Sequence, residues 1–115
     1  MADTYISFYL RTNRIHIFLE ALRTIGSPKR ICFMIAENGQ TLLISPYEKR
    51  DLKSHGVPKE VYQGVSKMEI SSMKLCRLLA SMHSWDYKKS YRVPGNKHPT
   101  ENVIIFDLKK AEVID

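Results

Sequence analysis

The sequence predicts an α+β fold in which two halves of similar plan form one compact barrel or sheet. Three observations support this: strand-like segments dominate the 115 residues, two segments have helical spacing, and the element order of the first half recurs in the second. We expect a single domain over 1–115, with pseudo-repeats at about 5–46 and 61–108 and a connector at 47–60. Neither half alone would bury enough apolar surface to be stable.

The first half begins with two predicted strands. Residues 5–10 (Tyr-Ile-Ser-Phe-Tyr-Leu) are rich in aromatic and β-branched residues, and residues 14–18 (Arg-Ile-His-Ile-Phe) place their isoleucines on one face. The polar residues 11–13 between them predict a turn. A short helix over 19–25 follows and ends at Gly26, a residue favoured just past the end of a helix.

A hairpin completes the first half. Residues 30–36 and 41–45 flank Asn38-Gly39. This dipeptide favours a type I′ turn, because the two central residues of such a turn need positive φ, which asparagine and glycine adopt readily. Both segments are apolar at consecutive positions, which predicts strands covered on both faces. Pro46 is expected to end the second strand.

The second half repeats this order with a longer helix. Residues 61–65 and 67–70 are predicted strands, and Ser71 or Ser72 is expected to cap the helix that follows. Trp85, just past the helix, is expected to fill the core. The apolar positions with helical spacing are Leu75, Leu78, Leu79 and Met82.

The chain closes with further strand-like segments. Residues 90–93 and 102–108 are predicted strands, and 94–101, which contains Gly95 and two prolines, is predicted to be a polar loop. Residues 111–114 could add a last short piece.

Composition limits the function classes. With 43% hydrophobic and 26% charged residues the chain is globular, and its longest apolar run, 31–36, is far below the roughly 20 residues that span a bilayer. No secretory pattern is expected at the N-terminus, and the two cysteines lie in apolar segments, so we predict buried thiols and a cytoplasmic protein without membrane contact. A net charge of +6 favours a polyanionic partner.

The first half resembles a swapped-hairpin AbrB-type repeat. The resemblance lies in residues 14–26, which run from Arg-Ile-His-Ile to Ile25-Gly26, and in the Asn38-Gly39 hairpin with Pro46. Two copies in one chain resemble the MraZ-like arrangement, in which the repeats form a barrel. Phe18 stands where this family usually has proline. The same element order is similar to that of one sliding-clamp domain, so a clamp-like sheet is the alternative fold.

The AbrB/MraZ resemblance implies a non-enzymatic DNA-binding domain, a small transcriptional regulator whose basic side chains contact phosphate without reading sequence. The partner would be double-stranded DNA or a nucleoprotein complex. The predicted nucleic-acid-binding residues are Arg11, Arg14, Arg23, Lys29 and Arg30 in the first half, and Arg77, Lys88, Lys89 and Arg92 in the second.

Catalytic and metal motifs are not recognised in the sequence. Cys32 and Cys76 form no C-x-x-C pair, the four histidines lack ligand spacing, and neither a Gly-rich phosphate loop nor a Gly-x-Ser-x-Gly elbow occurs. We therefore expect no enzyme, no cofactor and no metal.

Two other functions stay open. The chain also resembles small proteins of Gram-positive mobile elements, and its six tyrosines suit an interface, which favours a protein-binding module or an inhibitor such as an anti-CRISPR or anti-restriction protein. A homodimer would form if an edge strand such as 5–10 were unpaired.

Overall fold

The computed structural model describes residues 2–114, and within them nine strands, two α-helices and two short 3₁₀ helices follow one another. The helical elements are α1 (Leu19–Thr24), a first 3₁₀ helix (Lys59–Gln63), α2 (Met73–His83) and a second 3₁₀ helix (Leu108–Lys110). The strands are β1 (Thr4–Tyr9), β2 (Arg14–Phe18), β3 (Arg30–Ile35), β4 (Thr41–Pro46), β5 (Ser54–Gly56), β6 (Lys67–Ser71), β7 (Ser90–Lys97), β8 (Ile104–Asp107) and β9 (Glu112–Val113).

All these strands belong to one antiparallel sheet. Its order is β5-β3-β4-β8-β7-β1-β2-β6, and β9 adds to part of β7. The sheet is strongly curled into a half-barrel within a body of 33 × 29 × 28 Å. Its end strands β5 and β6 are not paired with each other in the described part of the chain. The prediction of a sheet-dominated fold with few helices is confirmed, and the sheet is open.

The concave face of the sheet and the two α-helices enclose one hydrophobic core. Alternation along β1 and β2 turns Ile6, Phe8, Ile15 and Ile17 inward, and all four are fully buried. Trp85 is buried as predicted, and its ring stacks on that of Tyr91 with centroids 4.8 Å apart. It also contacts the rings of Phe8 and His83. The loop after α2 is therefore anchored in the core.

The hairpin predicted at Asn38-Gly39 forms, but the predicted type I′ turn is wrong. Gly39 has φ +70°, whereas Asn38 is not among the described residues with positive φ. The Gly39 N–H instead donates to the Ala36 carbonyl at 2.8 Å, and the Asn38 side chain accepts from the Gln40 N–H at 2.9 Å. The turn is thus a longer one that needs positive φ only at the glycine.

The prediction that both hairpin strands are covered on both faces is also wrong. Leu42 and Ile44 of β4 are buried, but Leu43 between them is only partly buried, and Met34 of β3 is exposed. The apolar residues run consecutively, yet the curled sheet offers only one face to the core. Pro46 does end β4, as expected.

The middle of the chain contains one wrong prediction and one strand that was not predicted. Residues 61–65 are not a strand, because Lys59–Gln63 forms a 3₁₀ helix that buries Val61. The connector predicted at 47–60 contains β5, which pairs with β3. These residues lack the alternation of a strand, so the pairing of β5 depends on β3 alone.

Strand β7 extends through residues that we predicted to be a loop. It runs from Ser90 to Lys97, so Pro94 and Gly95 are strand residues, and β8 begins only at Ile104. Pro94 lies between the stretch of β7 paired with β9 and the stretch paired with β8, a break where a missing N–H is tolerated. Gly95 is required by packing, because a Cβ there would meet the ring of Phe106.

Helix α2 begins as one of the two predicted caps requires. The Ser72 hydroxyl accepts from the Leu75 N–H at 3.2 Å, so Ser72 and not Ser71 is the N-cap. The predicted apolar face is only partly right: Leu79 is buried and Leu75 packs on the core, but Leu78 and Met82 are exposed. Cys76 and Ala80 complete the buried stripe instead.

Strand β1 is not an edge. It pairs with β2 on one side and β7 on the other, so the homodimer expected from an unpaired 5–10 segment has no basis at this strand. None of the helices within residues 2–114 combines the length and the apolar character needed to cross a membrane.

Candidate nucleic-acid interface

Two of the predicted basic residues line one cleft although they are far apart in sequence. This cleft of about 400 Å³, here the Arg11–Arg77 cleft, is lined by Leu10, Arg11, Asn13, Arg77 and Tyr87. Arg11 comes from the turn between β1 and β2, and Arg77 comes from the second turn of α2. The first and second halves of the chain therefore both contribute residues to the cleft.

A backbone hydrogen bond explains why the two arginines line the same cleft. The β1–β2 turn is closed by the Thr12 N–H, which donates to the Tyr9 carbonyl, and Asn13 takes φ +54° to redirect the chain. The Asn13 carbonyl then accepts from the N–H of Ser72, the N-cap of α2, at 2.9 Å. The turn is thus tied to the start of the helix that carries Arg77.

The loop after α2 contributes the ring of Tyr87 to this cleft and also carries two exposed lysines. The Asp86 N–H donates to the hydroxyl of buried Tyr91 at 2.9 Å, and the Lys88 N–H donates to the Asp86 carboxylate at 2.9 Å. These bonds hold the loop so that Tyr87 is 52% exposed, with Lys88 and Lys89 exposed next to it. The loop is therefore hydrogen-bonded at Asp86 and carries positive charge at Lys88 and Lys89.

The lining of the Arg11–Arg77 cleft is electropositive. Two guanidinium groups line it, and none of the described residues that line it is acidic. Arginine offers a planar fork of donors that matches phosphate oxygens. This arrangement can bind a phosphate, and the neighbouring ring of Tyr87 can stack on a base or a sugar.

Other predicted residues have partners within the chain. The Arg14 guanidinium lies 2.9 Å from Glu69, and Arg92 forms a 2.6 Å ion pair with Glu112. Arg92 also lies over the ring of Tyr5, 4.7 Å from its centroid, and the hydrogen bond that Arg92 Nε donates to Glu112 raises the pKa of Arg92. The charge of both arginines is therefore partly neutralised on the surface.

The predicted residues do not form one surface. Lys29 and Arg30 line a second cleft, and Arg92 lines a third with Asp3 and Glu20 among its walls. Arg23 is exposed at the last turn of α1. Of the nine predicted residues, only Arg11 and Arg77 line the same cleft across the two halves.

Sequence reasoning missed the contribution of the segment predicted as a connector. Arg50, Tyr47 and Glu48 line the second cleft together with Lys29 and Arg30. No local motif marks these residues, because their position depends on β5 pairing with β3. The charged run at 48–50 was the only available signal.

Cys76 and His83 have structural positions in α2. Cys76 is buried, and burial raises the pKa of its thiol to about 11, so it is a neutral thiol at physiological pH. His83 Nε2 lies 2.9 Å from the carbonyl oxygen of Gly39 and joins α2 to the hairpin turn. Within residues 2–114, no three His, Cys, Asp or Glu side chains gather closely enough to hold a metal ion.

The chain matches no protein-family model, no curated protein and no solved structure. The fold and the surface together define a small protein built on a curled antiparallel sheet, with an arginine-lined cleft where its two halves meet.

Proposed function

We propose that the protein is a non-enzymatic DNA-binding domain, a small transcriptional regulator of AbrB/MraZ-like type. The observation that carries the proposal is the Arg11–Arg77 cleft, in which predicted phosphate-binding residues from both halves line one surface. Lys88 and Lys89 are exposed on the loop that carries Tyr87 and add positive charge to that loop. Contacts of this kind fix a protein on a duplex without reading base edges.

The order of the strands supports an internal duplication of the AbrB/MraZ-like kind. Outward from the β4–β8 pair, β3 and β7 are the next neighbours, and β5 and β1 follow. In the β2–β6 pair the central partners His16 and Glu69 are 53 residues apart in sequence. Adding 53 to the number of Arg14, the first residue of β2, gives Lys67, the first residue of β6, and both residues are basic. A twofold relation between the halves would produce both features.

The proposal is tested by fluorescence anisotropy with a labelled random DNA duplex, titrated at low and at physiological salt. We expect tight binding at low salt with a steep salt slope, and a slope reduced by about two units in the Arg11→Gln/Arg77→Gln variant. The matched control is Lys109→Gln/Lys110→Gln, which removes the same charge from exposed residues of the second 3₁₀ helix. This control should leave the slope nearly unchanged.

Two results would count against the proposal. Absence of binding at low salt would overturn DNA binding altogether and make the +6 charge incidental. Equal slopes for the arginine variant and the lysine control would show that binding is governed by net charge and not by the Arg11–Arg77 cleft.

A protein-binding module or inhibitor is the second candidate, and the surface of α2 favours it. Met73, Leu78 and Met82 are all at least 43% exposed on this helix. Recovery of one host protein on the immobilised protein after nuclease treatment, lost in a Leu78→Ser/Met82→Ser variant, would support this function. Loss of all captured protein on nuclease treatment would support the nucleic-acid function instead.

A further inference from the structure

We infer that the second cleft binds a phosphate-bearing ligand of nucleotide size, at a site separate from the proposed DNA interface. This cleft of about 770 Å³, here the Arg30–Arg50 cleft, shares no lining residue with the Arg11–Arg77 cleft. Its polar and charged lining side chains are Lys29, Arg30, Tyr47, Glu48, Arg50 and Asn102.

Backbone and side-chain hydrogen bonds hold the walls of this cleft in place. At the start of β3, the Arg30 carbonyl accepts from the Tyr47 N–H at 2.9 Å and the Lys29 carbonyl accepts from the Val57 N–H at 2.8 Å. On the far side the Asn102 amide donates to the Ile25 carbonyl at 3.0 Å. Segments distant in sequence are thereby joined, and the site is formed before any ligand arrives.

The Arg30 guanidinium is oriented by the protein. Its Nε and Nη2 atoms donate to the Ser54 hydroxyl at 3.0 and 2.7 Å, so one edge of the group is occupied and the Nη1 atom remains for other contacts. A Cβ on Gly56 would lie 3.2 Å from Nη1, so the glycine leaves room for the guanidinium at the cleft wall. A guanidinium fixed in this way loses little freedom when it binds an anion.

The charge of the cleft favours a dianion. Lys29, Arg30 and Arg50 supply three positive charges, and Glu48 is the one carboxylate among the described lining residues. The excess of two matches a phosphate monoester or a diphosphate better than a single carboxylate. Arginine and lysine together are the usual ligands of such groups.

The size and the apolar walls of the cleft indicate an organic part on the ligand. Ile25, Pro28, Pro46 and Val57 line it beside the charged groups, and inorganic phosphate would leave most of this space empty. The ring of Tyr47 also lines the cleft, and its hydroxyl donates to Asp51 at 2.7 Å, which fixes the ring. A base or sugar can pack on such a ring.

The experiment is isothermal titration calorimetry of the full chain with ADP, inorganic pyrophosphate and adenosine, without magnesium. We expect ADP to bind more tightly than pyrophosphate and adenosine to bind weakly. Arg30→Gln and Arg50→Gln should each weaken ADP binding about tenfold or more. Ser54→Ala, which keeps the charge but frees the guanidinium, should weaken it severalfold, and the control Lys109→Gln should have no effect.

The phosphate could come from a free nucleotide or from the end of a nucleic-acid strand. A short oligonucleotide with and without a 5′-phosphate separates these sources: ADP binding alone assigns a free nucleotide, and a gain on 5′-phosphorylation that Arg30→Gln abolishes assigns a strand end. Both results support the site. Failure of all phosphate probes at millimolar concentration, or equal binding by Arg50→Gln and wild type, would overturn it.

This test is independent of the proposed DNA-binding function. The Arg11→Gln/Arg77→Gln variant should bind ADP normally, because neither residue lines the Arg30–Arg50 cleft. Loss of duplex binding in that variant with intact ADP binding would therefore separate the two sites. ADP binding could fail while duplex binding persists, and the reverse could also occur.

Discussion

His16 and Glu69 meet across the β2–β6 pair, where His16 Nε2 lies 2.9 Å from Glu69 Oε1. The other carboxylate oxygen of Glu69 accepts from Arg14 Nη1 at the same distance. Both carboxylate oxygens of Glu69 are thus hydrogen-bonded. The ring centroids of Tyr9 and His16 are 4.6 Å apart. The carboxylate joins β2 to β6, the strand at one end of the half-barrel, and it also lowers the local positive charge of a predicted DNA contact.

The stability that Glu69 provides should disappear in acid. The hydrogen bond with His16, followed by the charge of Arg14, lowers the pKa of Glu69 below its ordinary 4.5. Folding therefore favours the carboxylate, and its contribution is complete above pH 4.5 and lost as the pH falls through the lower folded value. Urea unfolding should show Glu69→Gln less stable than wild type at pH 7, with the difference shrinking below pH 4.5.

Salt gives the control for this pair. Glu69 and Arg14 are both about half exposed, so salt should screen their attraction. We therefore expect 1 M NaCl to reduce the difference in the free energy of unfolding between wild type and Glu69→Gln at pH 7. A difference that stays constant from pH 7 to pH 3 would mean that shape and not the ionised carboxylate is responsible.

Ser72 should contribute more to stability than its neighbour Ser71. The Ser72 hydroxyl accepts the Leu75 N–H, one of the donors that a helix leaves unpaired at its start, whereas Ser71 is an exposed strand residue. We expect Ser72→Ala to lower the free energy of unfolding by about 1 kcal/mol and Ser71→Ala to change it little. Urea unfolding followed by circular dichroism measures both, and equal losses would contradict the capping role.

A methyl group at Gly95 should destabilise the core. The added Cβ would lie 2.5 Å from Cε1 of Phe106, a fully buried ring that cannot move aside freely. We expect Gly95→Ala to cost about 1–3 kcal/mol, as overpacked cores do. Thermal unfolding of the Gly95→Ala/Phe106→Leu double variant checks the cause, because the smaller side chain should recover part of the loss. Additive losses would show that the ring is not the obstacle.

The sequence predicted much of the fold because local signals agree with the structure in most elements. Alternation at residues 14–18 gave β2 with its observed bounds, and Asn38-Gly39 marked the hairpin. The signals failed where tertiary contacts decide. Strand β5 has three residues and no apolar pattern, and β7 continues through Pro94 because its partners β1 and β8 hold it on either side.

The candidate site was less predictable than the fold. Arg11 and Arg77 could be chosen as basic residues. Their position in one cleft depends on the hydrogen bond from the Ser72 N–H to the Asn13 carbonyl, which no sequence pattern predicts. The partners of Arg14 and Arg92 were equally invisible, since Glu69 and Glu112 are far from them in sequence. Charge alone predicts the sign of a surface, whereas the cross-strand neighbours decide which charges remain free.

The ion pairs predict a ranking among the proposed DNA contacts. Arg14 and Arg92 must give up or share a carboxylate before they can bind phosphate, whereas the described lining of the Arg11–Arg77 cleft contains no acidic residue. We expect Arg14→Gln/Arg92→Gln to reduce the salt slope of duplex binding by clearly less than the roughly two units lost in Arg11→Gln/Arg77→Gln. Anisotropy titrations over the same salt series compare the two variants at equal net charge. A larger effect of the Arg14→Gln/Arg92→Gln variant would move the interface to the face where β2 meets β6 and β7 meets β9.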